Sequence, residues 1–331
     1  MKMLTRTVFC LLVLSLVHQA VNAQKAEASA EIAISKTYRP PVMEASTDVQ
    51  AVLNSAVADA MTAFKAKGFK PEEVAATLID LRDPGKWKTA EIRGNERIYP
   101  ASVVKIFYMA ALSRQIEDGK VSLSPELGRG LRDMIVDSSN EATQYVLDVI
   151  TGTSSGAEMP EKEFQIWQAK RNRVNRYFNA MGYTNINVNQ KTFCEDAYGI
   201  EQQSRNYKGE NRNMLTTDAT ARLMAEIVSG RIASTQSTLK MVGLLKRDPF
   251  AKGDDVQAQE YIGKALIDKR MKEARIWSKA GWTSKSRHDA AYIETPDGGK
   301  FVLVVFTENH GSEEGFIPMI AGKVIDGFTK K

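Results

Sequence analysis

The sequence predicts an α+β fold with a five-stranded antiparallel sheet, flanked by the first and last helices, and an all-helical second lobe. Two β-rich segments lie before residue 100 and three lie after residue 269, while the residues between them follow helical periodicity. Strands from both ends of the chain therefore share one sheet. We predict a single domain over 46–331, with a sheet lobe of 46–100 and 269–331 and a helical lobe of 101–268.

The first 23 residues (1–23) have the pattern of a secretory signal peptide. Lys2 and Arg6 form a basic start, an apolar run follows over 8–17, and a small-residue cleavage site ends at Ala23. The apolar run is too short for a stable membrane anchor. Residues 24–45 are rich in Ala, Glu and Lys and predict a disordered leader. We therefore expect export to the periplasm or the medium.

Charge and cysteine content exclude several functional classes. The formal net charge of +5 falls to +3 when the two basic residues of the signal are removed, which is too low to indicate a nucleic-acid partner. Cys194 is then the sole cysteine, so no internal disulfide is expected. His288 and His310 lie apart without a Cys/His cluster, so we predict neither a metal site nor a cofactor.

The N-terminal elements are predicted from caps and alternation. Ser46 is a typical N-cap for a helix whose apolar stripe ends near Gly68. Two β-rich segments follow at 74–81 and 86–99, separated by an Asp-Pro-Gly turn. A helix that is apolar almost all round begins at Ser102.

Amphipathic and turn patterns assign the rest of the chain. Helices are predicted at about 124–135, 139–150, 160–181, 216–230, 234–246 and 255–268. The C-terminal strands are predicted at 275–281, 290–295 and 300–307, and the last helix at 312–328. The first and last helices are expected to cover one face of the sheet.

The strongest chemical signal is the Ser-x-x-Lys pair formed by Ser102 and Lys105. A serine needs a base beside it to act as a nucleophile at neutral pH, and residues three apart share one helix face. Burial in this apolar helix would lower the pKa of the lysine, which suits a base. The second copy, Ser237 and Lys240, lies in an amphipathic pattern that indicates an ordinary surface helix.

Two further motifs lie downstream. Ser138 and Asn140 open an amphipathic helix, where both residue types are also common N-caps. Lys279, Ala280 and Gly281 lie on the first C-terminal strand, where a lysine beside a glycine bend also has a purely structural explanation. Taken alone, neither motif decides between structure and chemistry.

Together and in this order, the three motifs resemble those of the class A β-lactamase and penicillin-binding-protein family of serine hydrolases. The resemblance covers roughly residues 46–330 and implies a β-lactamase-like fold. It extends to a helix at 215–224, which is similar to the helix that follows the family's omega loop.

The resemblance implies a role for each matched residue. Ser102 would be the nucleophile, Lys105 its general base, and Ser138 the relay that protonates the leaving nitrogen. Lys279 would lower the pKa of the relay and attract the substrate carboxylate, and the amide of Asn140 would hold the substrate's amide carbonyl. Two cations near one pocket would also depress each other's pKa.

The resemblance also implies substrate contacts on the C-terminal strands. The backbone N–H groups of Ser102 and Trp282 would form the oxyanion hole, next to Gly281. Arg287 and His288 lie where the family often places a cation for the substrate carboxylate. Exposed polar residues of a turn would give the same pattern, so both interpretations stay open.

Three positions depart from the family's pattern. Ser139 replaces the aspartate of Ser-Asp-Asn, and Ala280 replaces a hydroxyl residue that helps hold the substrate carboxylate. Thr192 stands where class A enzymes carry the omega-loop glutamate that deacylates the enzyme. Glu195 is the nearest carboxylate along with Asp196, and it is either a displaced deacylation base or a solvated loop acid.

The expected function is hydrolysis of β-lactams through an acyl-enzyme on Ser102. The alternatives are a D,D-peptidase acting on cell-wall peptides and a slowly deacylating β-lactam-binding domain, and the missing omega-loop glutamate favours both. The expected partner is a small-molecule β-lactam or D-alanyl peptide, and we expect a monomer. Cys194 is expected to be a free thiol without a catalytic role.

Overall fold

The computed structural model describes residues 31–253 and 255–329, and it confirms the α+β class. Seven strands form one sheet in the order β1-β3-β2-β7-β6-β5-β4. Their bounds are Met43–Ala45 (β1), Val74–Asp80 (β2), Trp87–Ile92 (β3), Lys246–Arg247 (β4), Arg275–Trp282 (β5), Ser286–Glu294 (β6) and Lys300–Glu308 (β7). β2 pairs with β7, so the two ends of the chain meet in one sheet, as predicted.

The sheet has seven strands rather than the predicted five. β1 runs parallel to β3, with Met43 opposite Trp87, so the sheet is not wholly antiparallel. β4 pairs with β5 through only two residues. Both additional strands lie at sheet edges and have three and two residues. Strands of this length are too short to show the alternation by which a strand is identified in a sequence.

The α-helices make up most of the remaining regular structure in the described chain. They span Thr47–Ala63, Lys105–Glu117, Pro125–Ile135, Asn140–Thr151, Glu161–Arg171, Arg173–Ala180, Ile200–Arg205, Thr217–Val228, Thr235–Leu245, Val256–Gln259, Ile262–Asp268 and Phe316–Thr329. The predicted segments 160–181 and 255–268 each divide into two helices. The first helix is capped as expected, because the hydroxyl of Ser46 accepts from the backbone N–H of Val49 at 3.5 Å.

The core lies on both faces of the sheet. Along β7, Leu303 faces the terminal helices with Leu53 and Val324, as predicted. The next residue, Val304, faces the helical lobe, where Phe107 belongs to the same apolar cluster. A strand buried on both faces has a continuous apolar sequence, which explains the pattern of 301–306. The helix that follows Ser102 is therefore held between the sheet and the other helices.

The part of the predicted leader that the structure describes, 31–45, is ordered rather than disordered. Ile32 and Tyr38 are buried, and the phenol of Tyr38 donates to a carboxylate oxygen of Glu226 at 3.0 Å. These few contacts are separated by polar residues, so composition did not reveal them. The predicted signal peptide (1–23) and residues 24–30 lie outside the described residues. Within the described chain, no helix combines the length and apolar character that crossing a membrane requires.

Candidate active site

Ser102 lies on a short 3-10 helix, Ala101–Val104, that leads directly into the buried helix Lys105–Glu117. Ala101 holds a positive φ of 45°, a backbone conformation that L-residues rarely adopt. The strand β5 passes so close that a Cβ on Gly281 would lie 2.7 Å from the carbonyl oxygen of Pro100 and 3.0 Å from the backbone nitrogen of Ser102. Only glycine permits this approach, which brings the predicted oxyanion-hole strand against the predicted nucleophile.

His288 fixes the same segment from β6. Its Nε2 lies 2.9 Å from the carbonyl oxygen of Tyr99, and its Nδ1 accepts from the backbone N–H of Thr307 at 3.2 Å. The two partners require a neutral ring with the proton on Nε2. Burial lowers the pKa of His288 to about 4, so the ring stays neutral at physiological pH. The prediction of His288 as a substrate cation is therefore wrong, and the ring instead anchors the chain three residues before Ser102.

Lys105 is fully buried, and its Nζ has three oxygen partners. It donates to the backbone carbonyl of Ser138, to the hydroxyl oxygen of Ser138 at 3.2 Å and to the amide oxygen of Asn140 at 2.9 Å. Burial lowers the pKa of Lys105 from 10.5 to about 7, while the charges of Glu141 and Cys194 act in the opposite direction. An amine with this pKa is largely available as a base near neutral pH.

Ser138 connects the two lysines. Its hydroxyl oxygen is 3.2 Å from the Nζ of Lys105 and 2.9 Å from the Nζ of Lys279. The backbone of Ser138 has a positive φ of 58°, an uncommon conformation that directs the loop before the helix Asn140–Thr151 into the cavity. A hydroxyl held between two amines can take a proton from one of the amines and give its own proton to another group in the cavity.

Lys279 lies on β5 and is also fully buried. Burial comes first among the causes that lower its pKa well below 10.5, and the charges of Lys105 and Arg247 lower it further. The expected mutual effect of the two lysines therefore holds for Lys279. For Lys105, burial is the largest cause of the lowered pKa.

Asn140 is bonded on both sides of its amide. Its oxygen accepts from Lys105, and its nitrogen donates to the sulfur of Cys194 at 3.4 Å. The exposed thiol is free, as predicted, but it is a structural neighbour of the site rather than remote from it. Sequence reasoning missed this contact because the two residues are 54 positions apart.

A cavity of about 580 Å³ opens over these groups. Its lining residues come from five parts of the chain: the 3-10 helix, the 138–140 segment, the loop before residue 200, the 256–261 segment and the end of β5 with the turn after it. They are Ser102, Ser138, Asn140, Phe193, Cys194, Val256, Gln257, Tyr261, Ala280, Gly281, Trp282, Thr283 and Ser284. The predicted site residues Ser102, Ser138, Asn140, Gly281 and Trp282 thus share one cavity, with Lys105 and Lys279 directly behind Ser138.

Gln257 is a site residue that the sequence analysis missed. Its amide oxygen accepts from the Nζ of Lys279 at 2.6 Å, and its amide nitrogen donates to the carbonyl of Val136 at 2.8 Å. Gln257 therefore ties the lysine of β5 to the helical lobe. A glutamine within a short helix carries no sequence signal for such a role, since its partners are 22 and 121 residues away.

Glu195 does not reach the cavity. It is exposed on the loop after Thr192, and the loop residues that do line the cavity are Phe193 and Cys194. The neighbouring Asp196 turns toward Arg205, with which it forms an ion pair. Thr192 is buried, and its hydroxyl lacks a partner in the described structure. The prediction of Glu195 as a displaced deacylation base has no support in this geometry.

Arg287 is also placed away from the cavity. It is buried on β6, its guanidinium stacks over the ring of Tyr261 at 4.1 Å, and it pairs with the carboxylate of Glu260 at 3.4 Å. Tyr261 lines the cavity whereas Arg287 does not, so the predicted contact of Arg287 with a substrate carboxylate has no support in this geometry. Register explains the position: Arg287 faces Trp282 across β5 and β6, one residue before His288.

The loop that carries Phe193 and Cys194 is anchored by a buried group of charges. Lys191 contacts Asp148 at 2.6 Å and Glu201 at 3.2 Å, and Arg171 contacts the same Glu201 at 2.7 Å. Buried charges need such partners, since an unpaired one is costly. The ion pairs fix the loop one residue before Thr192 and so set the wall of the cavity.

The site thus offers a hydroxyl, a desolvated amine, a bridging hydroxyl and backbone donors around one cavity, which are the groups that acyl transfer requires. The sequence matches the model of a family described as the β-lactamase enzyme family over residues 56–328. No curated protein matches the chain significantly.

Solved structures with the same fold lie at low sequence identity. A β-lactamase from Sphaerobacter thermophilus is 22% identical, with a TM-score of 0.59 over 84% of this chain and 95% of its own. PBP-A is 18% identical, with a TM-score of 0.58 over 89% of this chain and 100% of its own. A PBP-A variant, solved as its acyl-enzyme complex with penicillin G, is 17% identical, with a TM-score of 0.59 over 88% and 100%.

Proposed function

The chain belongs to the β-lactamase enzyme family of serine hydrolases, and on this premise we propose that it forms an acyl-enzyme on Ser102 and releases it slowly. The observation that supports acylation is the hydroxyl of Ser138 held between two buried lysines, one of which, Lys105, has a pKa of about 7. The substrates we propose are β-lactams or D-alanyl amides, as for a penicillin-binding protein.

In the acylation step that we propose, Ser102 acts with Lys105 and Ser138, and the last two are already in contact at 3.2 Å. The hydroxyl oxygen of Ser102 adds to the carbonyl carbon while its proton passes to the Nζ of Lys105. The C–N bond breaks as Ser138 gives its proton to the leaving nitrogen, and Lys105 returns a proton to Ser138 over the 3.2 Å contact. The developing oxyanion is met by the backbone N–H groups of Ser102 and Trp282, which the close approach of Gly281 brings to one wall.

Slow release follows from the cavity lining. Among its lining residues in the described chain there is no Asp or Glu; Asp137 and Asp255 line the adjoining cavity, and Glu195 is exposed outside. A positioned general base contributes about 100-fold or more to a hydrolytic step. Without a carboxylate beside the ester, water attacks the acyl-enzyme without that contribution.

Rapid β-lactam turnover of the class A type is the second candidate. It is supported by the pKa of Lys105, since an amine with a pKa of about 7 can accept a proton from water as well as from serine.

Export to the periplasm or the medium belongs to the same proposal and rests on the predicted signal peptide.

A burst-and-turnover assay with a chromogenic cephalosporin separates the candidates. We expect a stoichiometric burst, a slow steady state and an adduct on Ser102 in the intact mass, located by peptide mapping. Ser102→Ala should abolish the adduct, whereas the matched Ser237→Ala on the second Ser-x-x-Lys should not. Fast turnover without a burst supports the class A candidate, and an adduct that persists in Ser102→Ala refutes both.

A further inference from the structure

A second cavity adjoins the one that contains Ser102. It has a volume of about 650 Å³, and its walls come from the 136–138 and 251–259 segments. We call it the side cavity. Ser138, Val256 and Gln257 line both cavities. Because the same three residues line both, a ligand bound at Ser102 can extend into the side cavity.

Ser138 relates the side cavity to the proposed chemistry. Its hydroxyl gives a proton to the leaving nitrogen in that proposal, so the nitrogen must come within hydrogen-bond distance of it. The group that the nitrogen carries then lies beside Ser138, on the lining of the side cavity. The acyl part of the substrate stays with Ser102 in the first cavity. The side cavity is therefore placed to receive the leaving group.

Three charged residues line the side cavity, and their exposure differs. Asp137 and Lys252 are exposed, whereas Asp255 is partly buried. Asp137 also pairs with Arg132 at 2.6 Å, which compensates much of its charge. Water screens exposed charges more strongly than partly buried ones. Asp255 is therefore the charged group of this lining that a bound ligand would meet with the least screening.

The carboxylate of Asp255 has room for a further donor. Among the described residues its one side-chain hydrogen bond comes from the backbone N–H of Ala258, at 3.2 Å, where it caps the short helix Val256–Gln259. An ionised carboxylate offers about four acceptor positions. Most of the acceptor capacity of Asp255 is thus left for a ligand.

A buried cation near Asp255 does not take up this capacity. Arg247 is buried on β4, and its guanidinium donates to the backbone carbonyl of Ile135 at 2.9 Å. Burial lowers the pKa of Arg247, and the charge of Asp255 opposes that shift. In the part of the chain that the structure describes, Arg247 lines neither cavity. A ligand can therefore contact Asp255 from the cavity without displacing Arg247.

We propose that the side cavity binds the leaving group of the substrate and favours leaving groups that carry a free ammonium group, with Asp255 as its direct partner. The inference rests on the proposed acyl-enzyme on Ser102. An ammonium gains a charge-assisted hydrogen bond from a partly buried carboxylate. Val136 and Val256, on the same lining, supply apolar surface for the carbon chain that carries the ammonium.

A matched pair of cephalosporins tests the inference. The two share one acyl side chain, and the substituent on the ring that carries the leaving nitrogen ends either in a primary ammonium group or in its N-acetyl amide. Rate constants for acylation of Ser102 are measured by the burst and by intact mass. Each is divided by the rate constant of alkaline hydrolysis of the same compound, which removes differences in intrinsic reactivity. We expect an ammonium-to-amide ratio of about 3 or more.

Three variants locate the effect through the same ratio. Asp255→Asn removes the charge but keeps a residue that caps a helix, so the ratio should fall to about 1 while acylation by the neutral amide changes less than about 3-fold. Glu195→Gln removes an equal charge from an exposed position outside both linings and should leave the ratio unchanged. Lys252→Ala removes a like charge from the lining and should raise the ratio.

The outcomes separate this inference from the function beneath it. A ratio of about 1 in the unmodified enzyme overturns the inference, and so does a ratio that Asp255→Asn leaves unchanged or that Lys252→Ala lowers. In these cases the acyl-enzyme itself stands, because both cephalosporins still form an adduct on Ser102. If neither cephalosporin forms that adduct, the proposed function fails and the inference fails with it.

Discussion

The buried amine of Lys105 should set the pH dependence of acylation. Burial lowers its pKa from 10.5 to about 7. At pH 7.5, roughly three quarters of the amine is then neutral, compared with roughly 0.1% for an unshifted lysine, a gain of about 800-fold in available base. Only the neutral amine accepts a proton, so the rate of acylation should rise with pH through about 7 and level off above it.

The variant Glu141→Gln tests the electrostatic part of this reasoning. The carboxylate of Glu141 raises the pKa of Lys105, so its removal should move the midpoint of the pH profile to lower pH. Glu126→Gln removes the same charge from an exposed position of another helix and is the matched control. The burst rate with a chromogenic cephalosporin, measured from about pH 5 to pH 9, gives all three midpoints.

Two results would refute the reasoning. A rate that still rises steeply at about pH 9, as expected for the ordinary lysine pKa of about 10.4, would mean that Lys105 is not desolvated in the free enzyme. A midpoint that moves upward in Glu141→Gln would mean that another group titrates. Lys105→Arg adds an independent check, because a guanidinium keeps the charge but cannot give up its proton. It should slow acylation by about 100-fold or more.

Further substitutions test the walls of the cavity. Gly281→Ala would place a Cβ 2.7 Å from the carbonyl oxygen of Pro100. We therefore expect a lower melting temperature and acylation slowed at least about 10-fold. An unchanged melting temperature and acylation rate would contradict the close approach. Lys191→Met deprives the buried Glu201 of a partner at 3.2 Å and should lower the free energy of unfolding, measured by urea denaturation, by about 3 kcal/mol. An unchanged free energy of unfolding would contradict the ion pair. Glu195→Gln should change deacylation less than about 3-fold, whereas a trapped acyl-enzyme would restore Glu195 as the base.

Local sequence patterns predicted much of the fold and the centre of the site. Caps and periodicity placed most helices to within a few residues, because a helix is stabilised by neighbours three and four positions apart. The apolar surroundings of Lys105 predicted a buried amine, which the structure has. The order of the three motifs predicted the family, since each motif is contiguous in the sequence.

Contacts between distant residues had to come from the tertiary structure. The edge strand Met43–Ala45 is stabilised by β3 rather than by its own pattern. Gln257 reaches Lys279 because two lobes pack together, and Tyr261 covers Arg287 because of strand register. Glu195 is kept out of the cavity by the course of a loop that buried ion pairs anchor at Lys191. Sequence alone thus predicted most of the residues that we propose for the chemistry, while packing decided which of them meet, because the direction of a side chain depends on neighbours that no local pattern contains.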